Sequence, residues 1–392
     1  MENLLLVLSA LVLSNDAVKD GGVIALQSDQ VLAETLILPS NTTLDGNGYT
    51  LTYTGTNSAL LVEGSEGVET HLMAEAKAGG GIPALNPIIE VADSTAFQVG
   101  DKVKFVRGDR LVEFNTVVGL PTPTSLQLEE RFAATFPAET RVVHVRPNEN
   151  TTIKNLVIQG GEGNDAAGIH VFDAYLLKIQ NVKFKNLTRD GIQISYSYAP
   201  KIENSQFIAN GRPGQGDDAI GVSYSYAPVI TGNSLLFSGA LVLRNTQFGV
   251  IAENILDSSG RTGGDGISLV GATNSRIVGN TISRANCYGI WAKDNSHFNT
   301  ITGNVFSSGI TSAIYLTNHA NYNIISENAA HKNNGNGIFL GWKARHNTIS
   351  NNTTVSNGAR GILVHEPQNN LNGNKSADNF LEDILHNQEE QP

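Results

Sequence analysis

Short stretches in which hydrophobic and polar residues alternate recur along the chain from residue 168 onward. Each begins with Gly or Ala followed by an aliphatic residue, the pattern of a strand with one buried face. The starting positions are Gly168, Gly191, Ala219, Ala240, Gly266, Gly289, Ala313, Gly337 and Gly361. Successive starts are 23, 28, 21, 26, 23, 24, 24 and 24 residues apart. This regularity predicts an internal repeat of one small structural unit.

A series of Asn residues keeps step with these strands, and each follows an Ile or Leu by two or three positions. Its members are Asn155, Asn181, Asn204, Asn233, Asn254, Asn280, Asn304, Asn328, Asn352 and Asn374. We interpret the series as a ladder of side-chain amides that bond from coil to coil. Strands this short cannot bury a face alone, but stacked coils form long parallel sheets around one core. The predicted fold is therefore all-β, a parallel β-helix whose main body spans residues 148–380.

This period, punctuated by Asn and Gly, resembles the parallel β-helix repeats of the pectin-lyase-like superfamily. The resemblance covers residues 20–85 and 148–380 and implies a right-handed coil. The superfamily includes pectate lyases, polygalacturonases, alginate epimerases, phage tailspikes and non-catalytic binding proteins. The resemblance therefore implies a fold and a broad connection with polysaccharides, but no single activity.

The remaining segments depart from the period. Residues 1–85 are expected to form an N-terminal cap and the first coils, and residues 381–392 a C-terminal tail. Residues 86–147 predict an inserted antiparallel β module, which either borders a binding site or is a plain surface elaboration. The apolar run at residues 4–13 is either a signal-peptide core or a buried capping segment, and it is too short to span a bilayer.

Composition narrows the choice of partners. The net charge of −11 argues against nucleic acid, because phosphate binding requires clustered Lys and Arg. Cys287 is the single cysteine, which excludes an internal disulfide and a zinc cage built on Cys pairs. No stretch predicts a membrane span. The expected partner is a polysaccharide or oligosaccharide, and the expected location is extracellular or on a virion.

Candidate chemistry lies in the position just before each repeated Gly or Ala. Asp190, Asp218 and Asp265 occupy this column, with Asp217 beside Asp218. Equivalent positions on adjacent coils lie about 4.8 Å apart, which places Asp190 and Asp218 about 5 Å from each other. Asp265 is expected about 9.5 Å beyond Asp218, two coils away. Paired carboxylates at such separations serve glycoside hydrolysis, since crowding raises one pKa and produces a proton donor.

The sequences around Asp190 and around Asp217 and Asp218 resemble the first two active-site motifs of polygalacturonase-type hydrolases. These stretches read Thr-Arg-Asp-Gly-Ile at 188–192 and Gly-Asp-Asp-Ala-Ile at 216–220. The resemblance implies that one of these Asp residues acts as acid while the others position water. The family's next motif, Gly-His-Gly, is replaced by Ser-Gly-Ala at 238–240. The family's last motif, Arg-Ile-Lys, is matched only at its Lys, by Lys293, and one coil later than in the family. Two alternatives stay open for the Asp column: ordinary turn chemistry, and a Ca²⁺ site with no other cofactor.

Side chains two residues after each repeated Gly or Ala should point outward. Trp291, Tyr315 and Phe339 form an aromatic strip there, preceded in the same column by His170 and Gln193. The strip predicts either a platform for sugar rings or a surface covered by a loop or an oligomer partner, with a homotrimer as one possibility.

Two further columns complete the candidate residues. Arg244, Lys293 and His365 lie four residues after the repeated Gly or Ala and could bind uronate carboxylates, or act as a base in β-elimination. Tyr175, Tyr198 and Tyr226 are also in register and predict a stacked structural ladder.

Three functions follow from these columns. The leading hypothesis is a polysaccharide hydrolase, with Asp190, Asp217, Asp218, Asp265 and Lys293 as catalytic candidates. The residues expected to bind substrate are Arg244, Trp291, Tyr315, Phe339, His170 and Gln193. A polysaccharide lyase or uronate epimerase, with Lys293 or Arg244 as base or carboxylate neutraliser, is the second hypothesis. A non-catalytic carbohydrate-binding or tailspike-like β-helix is the third.

Overall fold

The computed structural model describes residues 5–8, 13, 21–78, 87–108, 111–161, 165–211, 217–258 and 264–386. Most of the segment expected to be a signal peptide or cap, and residues 387–392 of the predicted tail, lie outside this range. No helix among the described residues is long and apolar enough to cross a membrane.

The described chain winds into stacked coils, and each coil contributes short parallel strands to the same sheets. A twelve-stranded parallel sheet, which we call the Gly-Ile sheet, is built from the predicted repeat. Its strands are Leu36–Ile37, Ser58–Glu63, Ala167–Phe172, Ile192–Ser195, Ile220–Ser223, Leu241–Arg244, Ile267–Val270, Ile290–Lys293, Ile314–Leu316, Ile338–Leu340, Ile362–Val364 and Ile384–His386. The predicted parallel β-helix is confirmed.

A 23-stranded parallel sheet holds the other two tracks of each coil, with two strands per coil along most of its length. Its strands are Leu5–Leu8, Val23–Leu26, Gln30–Leu32, Thr43–Asp45, Thr50–Tyr53, Thr152–Gly160, Lys178–Lys185, Lys201–Glu203, Gln206–Ile208, Val229–Thr231, Ser234–Leu236, Val250–Ala252, Ile255–Asp257, Arg276–Val278, Thr281–Ser283, Thr300–Thr302, Val305–Ser307, Ile324–Ser326, Ala329–His331, Thr348–Ser350, Thr353–Val355, Asn370–Asn372 and Lys375–Ala377. A two-stranded pair, Asn148–Glu149 with Ala174–Tyr175, lies at a turn.

The core is a stack of aliphatic side chains inside the coils. Ile192, Ile220 and Ile267 of the Gly-Ile sheet are fully buried, as are Ile230 and Ile277 of the larger sheet. Burying one such side chain contributes about 1.5–3 kcal/mol relative to leaving it exposed. Because every coil adds the same set of contacts, the repeat itself supplies the stability of the solenoid.

The Asn ladder is confirmed from Asn233 to Asn374, and Asn181 also bonds to Asn155 on the adjacent coil across 2.8 Å, but the first three members occupy a different column. Asn233 pairs in register with Ser205, so Asn204 lies one position earlier, opposite Gly232. Asn155, Asn181 and Asn204 have φ of 52°, 54° and 52°, the left-handed conformation that Asn tolerates at turns. These three residues therefore form the turn next to the ladder, and not the buried ladder itself.

Residues around the predicted insertion form a six-stranded antiparallel sheet, which we call the module. Its strands are Ser65–His71, Ile88–Glu90, Lys102–Val106, Val112–Gly119, Ser125–Leu128 and Arg141–Arg146. The sheet thus includes residues 65–71, which the sequence-based boundary at residue 86 assigned to the first coils. An inserted antiparallel element is confirmed.

The module packs on the tyrosine ladder of the solenoid. The predicted stack is present, with ring centroids 5.2 Å apart for Tyr175 and Tyr198 and 5.6 Å apart for Tyr198 and Tyr226. Phe114 of the module meets Tyr175 edge to face at 5.6 Å. The buried Lys104 ammonium lies 2.5 Å from Asp173 of the solenoid, which neutralises the charge across the junction.

We expect Gln247→Leu to loosen this junction. The buried Gln247 amide donates from Nε2 to the carbonyl of Val112 across 2.9 Å, and Leu would leave that carbonyl unpaired at a cost of about 1–3 kcal/mol. Faster amide hydrogen exchange in residues 102–119, with unchanged exchange in residues 300–350, is the expected result. The exposed Gln206→Leu is the matched control, and equal exchange in both variants would contradict the prediction.

Candidate functional site

The outward-facing column of the Gly-Ile sheet runs in unbroken register along nine coils. Its members are His170, Gln193, Gly221, Val242, Ser268, Trp291, Tyr315, Phe339 and Leu363. Gly221, Val242 and Ser268 lie in its middle and are buried, although the alternation of the strands predicted an outward position, and we call these three positions the central strip. Asp218 and Asp265 precede the strip along their strands, while Arg244 follows it. The strip is therefore bordered by acids on one side and by a cation on the other.

Asp218 is the most buried acid of the site, with 6% of its surface exposed. Burial raises the pKa of Asp218 to about 6, and the nearby Asp190 and Asp217 add to the rise. Arg244 opposes it, because Nη1 lies 2.7 Å from Oδ2 of Asp218 and forms an ion pair across the strip. This ion pair was not foreseen from the sequence, which assigned Arg244 to substrate.

Asp190 lies on the adjacent coil and contacts Asp218 directly. Its Oδ1 accepts a hydrogen bond of 2.7 Å from the backbone N–H of Asp218, which holds the two residues in the predicted neighbouring positions. Burial raises the pKa of Asp190, and the charge of Asp217 acts in the same direction. Burial lowers the pKa of His170, although the Asp190 carboxylate opposes that shift. A neutral imidazole is thereby favoured beside the acid.

Gln193 and Gly221 shape the surface between these acids. A side chain at Gly221 would collide with Oε1 of Gln193 and would lie 3.1 Å from Oδ2 of Asp218. The absence of a side chain at residue 221 thus lets the Gln193 amide and the Asp218 carboxylate approach the same point. Asp217 is half-buried next to Asp218.

Asp265 lies two coils beyond Asp218, as the register predicted, but in different surroundings. Its Oδ2 accepts a hydrogen bond from the Ser268 hydroxyl, and its Oδ1 accepts one of 3.1 Å from the backbone N–H of Tyr288. Burial raises the pKa of Asp265, while these hydrogen bonds lower it. Burial also raises the pKa of the adjacent Cys287 thiol to about 11, which keeps the thiol protonated. Asp265 is thus bonded to its own strand through Ser268 and to the next coil through Tyr288.

The predicted aromatic strip is present, but its rings are half-buried and face one another. Trp291 stacks on Tyr315 at 6.5 Å, and Tyr315 on Phe339 at 4.7 Å. The Lys293 ammonium lies 3.4 Å from the Trp291 ring centroid, so this cation covers a face of the indole. The indole Nε1 is buried and has no hydrogen-bond partner among the described residues. The rings therefore offer a ligand their edges more than free faces.

Two features were missed from the sequence. The first is a contact of Tyr288, which the sequence places in the Asp column just before Gly289, with Tyr315 of the aromatic strip at 4.7 Å between ring centroids. A second aromatic column, Phe298, Tyr322 and His346, stacks on another turn with centroids 5.2 and 5.0 Å apart. Within the described residues, no group of three acidic, His or Cys side chains is arranged to hold a metal ion.

Comparison with known families agrees with this geometry. A model of the right-handed beta helix region matches residues 141–325. The protein is a right-handed β-helix. Among curated proteins, no sequence matches this chain.

Solved structures with the same fold include several phage tailspikes. The Pseudomonas phage phi297 tailspike gp61 has a TM-score of 0.56 at 13% identity, covering 92% of this β-helix chain and 72% of its own. The tailspike gp49 from Pseudomonas phage LKA1 has a TM-score of 0.51 at 13% identity, with coverages of 93% and 68%. The gp54 tailspike of Acinetobacter baumannii bacteriophage AP22, solved with a capsular saccharide, has a TM-score of 0.50 at 13% identity, with coverages of 94% and 70%. At these identities the likeness establishes the fold and not an activity.

Proposed function

We propose that this β-helix binds a polysaccharide along the Gly-Ile sheet and hydrolyses its glycosidic bonds beside the central strip. The observation that carries the proposal is the pair formed by Asp190 and Asp218. The Asp190 carboxylate accepts a hydrogen bond from the backbone N–H of Asp218, so the two acids lie on adjacent coils beside the central strip. Burial raises the pKa of both, which is the condition for keeping a proton donor near neutral pH.

In the proposed reaction Asp218 donates its proton to the leaving glycosidic oxygen. A pKa of about 6 leaves about a tenth of this acid protonated at pH 7, far more than the ordinary value of 3.8 would, and the hydrogen bond from Arg244 orients the carboxyl. Asp217 and Asp190 position the attacking water, the role that the polygalacturonase-like motifs imply. Gln193 and His170 bind the sugar hydroxyls on the neighbouring coils.

A polymer suits this surface better than a small molecule. From Gln193 to Tyr315 the column advances five coils, a length of about 24 Å at 4.8 Å per coil. The likeness to tailspikes, including one solved with a capsular saccharide, favours a bacterial surface polysaccharide as substrate. It also favours an extracellular or virion-associated location and a homotrimer, which we propose together with the activity.

A second candidate is a polysaccharide lyase or uronate epimerase, favoured by the cations that border the site. Arg244 lies across the strip from the acids, and Lys293 lies in the same column two coils further on. Such cations would neutralise a uronate carboxylate and so acidify its neighbouring proton. Arg244 would then have to break its ion pair with Asp218 and bind the substrate carboxylate instead.

The decisive assay offers bacterial capsular and O-antigen polysaccharides and reads reducing ends together with ultraviolet absorbance. A hydrolase releases reducing ends without absorbance, whereas elimination also produces a conjugated double bond that absorbs. We expect Asp218→Asn to reduce the release of reducing ends at least a hundredfold, because the proton donor is lost.

The matched control is Asp257→Asn, which removes the acid of another Asp–Arg pair, with Arg284, on the larger sheet. It should leave the rate unchanged. Activity that survives Asp218→Asn would refute the site assignment. Ultraviolet absorbance of the product would show that the reaction is an elimination and not a hydrolysis. Binding of a polymer without any product would support the non-catalytic β-helix.

A further inference from the structure

A pocket of about 240 Å³ lies where the module meets the solenoid, away from the central strip. Module residues Lys102, Phe114 and Thr116 line one part of it, and solenoid residues Tyr175 and Tyr198 line the other. The pocket therefore exists only because segments far apart in sequence pack together. Junctions of this kind are common places for small-ligand sites.

The aromatic lining is held in a fixed arrangement. Phe114 meets Tyr175 at an interplanar angle of 90° and Tyr198 at 72°, and the two tyrosine rings stack at 5.2 Å. Packing on both sides thus limits the movement of these rings. A rigid aromatic surface with polar edges suits the apolar face and the hydroxyl groups of a sugar ring.

Carboxylates outnumber cations around the pocket. Glu129, Glu130 and Glu149 line it, whereas Lys102 is the single Lys or Arg in its described lining and donates to the Thr116 hydroxyl across 3.0 Å. An ionised carboxylate only accepts hydrogen bonds. The lining therefore favours a ligand rich in donors and disfavours one that carries a negative charge.

The acidic turn at Glu130 is fixed by the module itself. The Asn115 amide donates from Nδ2 to the Glu130 carbonyl across 2.8 Å, and its Oδ1 accepts from the Glu130 N–H at 3.1 Å. Asn115 is buried, so this pair of bonds holds the turn beside the aromatic wall. The carboxylates are thereby presented without a need for the loop to order on binding.

Tyr175 supplies an independent sign that the pocket takes a polar ligand. Its side chain lines the pocket and is 93% buried, yet its hydroxyl has no hydrogen-bond partner within the described protein. A buried hydroxyl without a partner has lost its hydrogen bonds to water without replacement, which is energetically unfavourable. A hydroxyl-bearing ligand seated beside the ring is a physical source of that partner.

We propose that this pocket binds a single hydroxyl-rich sugar unit without a carboxylate, as a carbohydrate site separate from the central strip. The site does not depend on hydrolysis elsewhere. It makes the module a recognition element for one end or one branch of a saccharide. The expected ligands are neutral hexoses and amino sugars, and the disfavoured ones are uronates.

The test is a methyl NMR titration of the full chain with glucose, glucosamine and glucuronate. Leu176 lines the pocket and is 53% exposed, so its methyl signals report on this site. The methyl signals of Val242 report on the central strip. We expect glucose or glucosamine to shift Leu176 saturably and glucuronate to bind at least tenfold more weakly.

Variants then separate the two sites. Glu130→Ala, an exposed substitution, should weaken binding at Leu176 at least fivefold, whereas Glu90→Ala on the same module should not change it. Asp218→Asn should leave the Leu176 titration intact, so that failure of the hydrolase proposal leaves this one standing. Absence of a saturable Leu176 shift with any of the three sugars, or equal affinity for glucuronate, would overturn the proposal.

Discussion

Asn304→Ala is expected to lower the free energy of unfolding by about 3–5 kcal/mol, because it breaks a buried hydrogen-bond ladder. The Asn304 amide donates from Nδ2 to the Ile277 carbonyl at 2.9 Å and to Asn328 Oδ1 at 3.0 Å. Its Oδ1 accepts from both the backbone and the side chain of Asn280 at 2.9 Å. Alanine would leave several of these fully buried groups without partners at once.

Equilibrium urea unfolding measures this effect, with two companion variants. Asn304→Asp keeps the size and the acceptor but loses the amide donors, so it should be destabilised as well. Asn334→Ala removes an exposed amide from the same solenoid and should change stability by less than about 0.5 kcal/mol. If Asn304→Ala lowers the free energy of unfolding by less than about 1 kcal/mol, the ladder bonds are no stronger than the bonds to water that they replace on folding.

Unlike Asn304→Ala, Asp218→Asn should stabilise the folded protein, and it should do so only at higher pH. The pKa of Asp218 in the folded protein is about 6, above the ordinary 3.8. Folding therefore favours the protonated acid. That contribution is fully present below pH 4 and is lost as the pH rises through 6. A shift of about two pH units corresponds to about 3 kcal/mol.

Asparagine is neutral at every pH, so the variant should escape this loss. We expect wild type and Asp218→Asn to unfold alike near pH 4, and the variant to be more stable by up to about 3 kcal/mol at pH 8. Burial also raises the pKa of Glu113 to about 7, which makes the free energy of unfolding depend on pH in the same way in both proteins. This contribution cancels when the two proteins are compared. A variant less stable than wild type at pH 8 would show that the Arg244 ion pair outweighs the burial of the charge.

Together with the assay, this measurement separates a structural acid from a functional one. A structural carboxylate is expected to stabilise the fold when ionised, as the low pKa of Asp45 beside Lys154 and Asn155 illustrates. An acid that costs stability in its ionised form and lies beside two further Asp residues is typical of a catalytic group.

The sequence by itself determined the repeat, the parallel solenoid and the register of the columns. It could do so because each coil is a local pattern of about 24 residues, and stacking turns equal positions into neighbours. The neighbouring positions of Asp190 and Asp218, and the Trp291–Tyr315–Phe339 stack, follow from counting along that period.

Counting along the repeat assigned residues to the wrong column where Asn serves two different structural roles. Asn204 and Asn233 occupy adjacent columns, one at a left-handed turn and one in the buried ladder, and both environments accept Asn. A one-residue shift between coils is invisible in a pattern of Asn and aliphatic residues. Two further ladders, beginning at Asn299 and Asn333, were overlooked for the same reason.

Only the tertiary structure decided the contacts that no period encodes. The ion pair between Arg244 and Asp218 depends on how a long side chain crosses the strip, and the pocket between Phe114 and Tyr198 depends on where the module docks. Both join residues from unrelated positions in the repeat. The free energy of these contacts depends on which side chains are buried together and which charges meet in the folded chain. The fold, in contrast, follows from a pattern that every coil repeats.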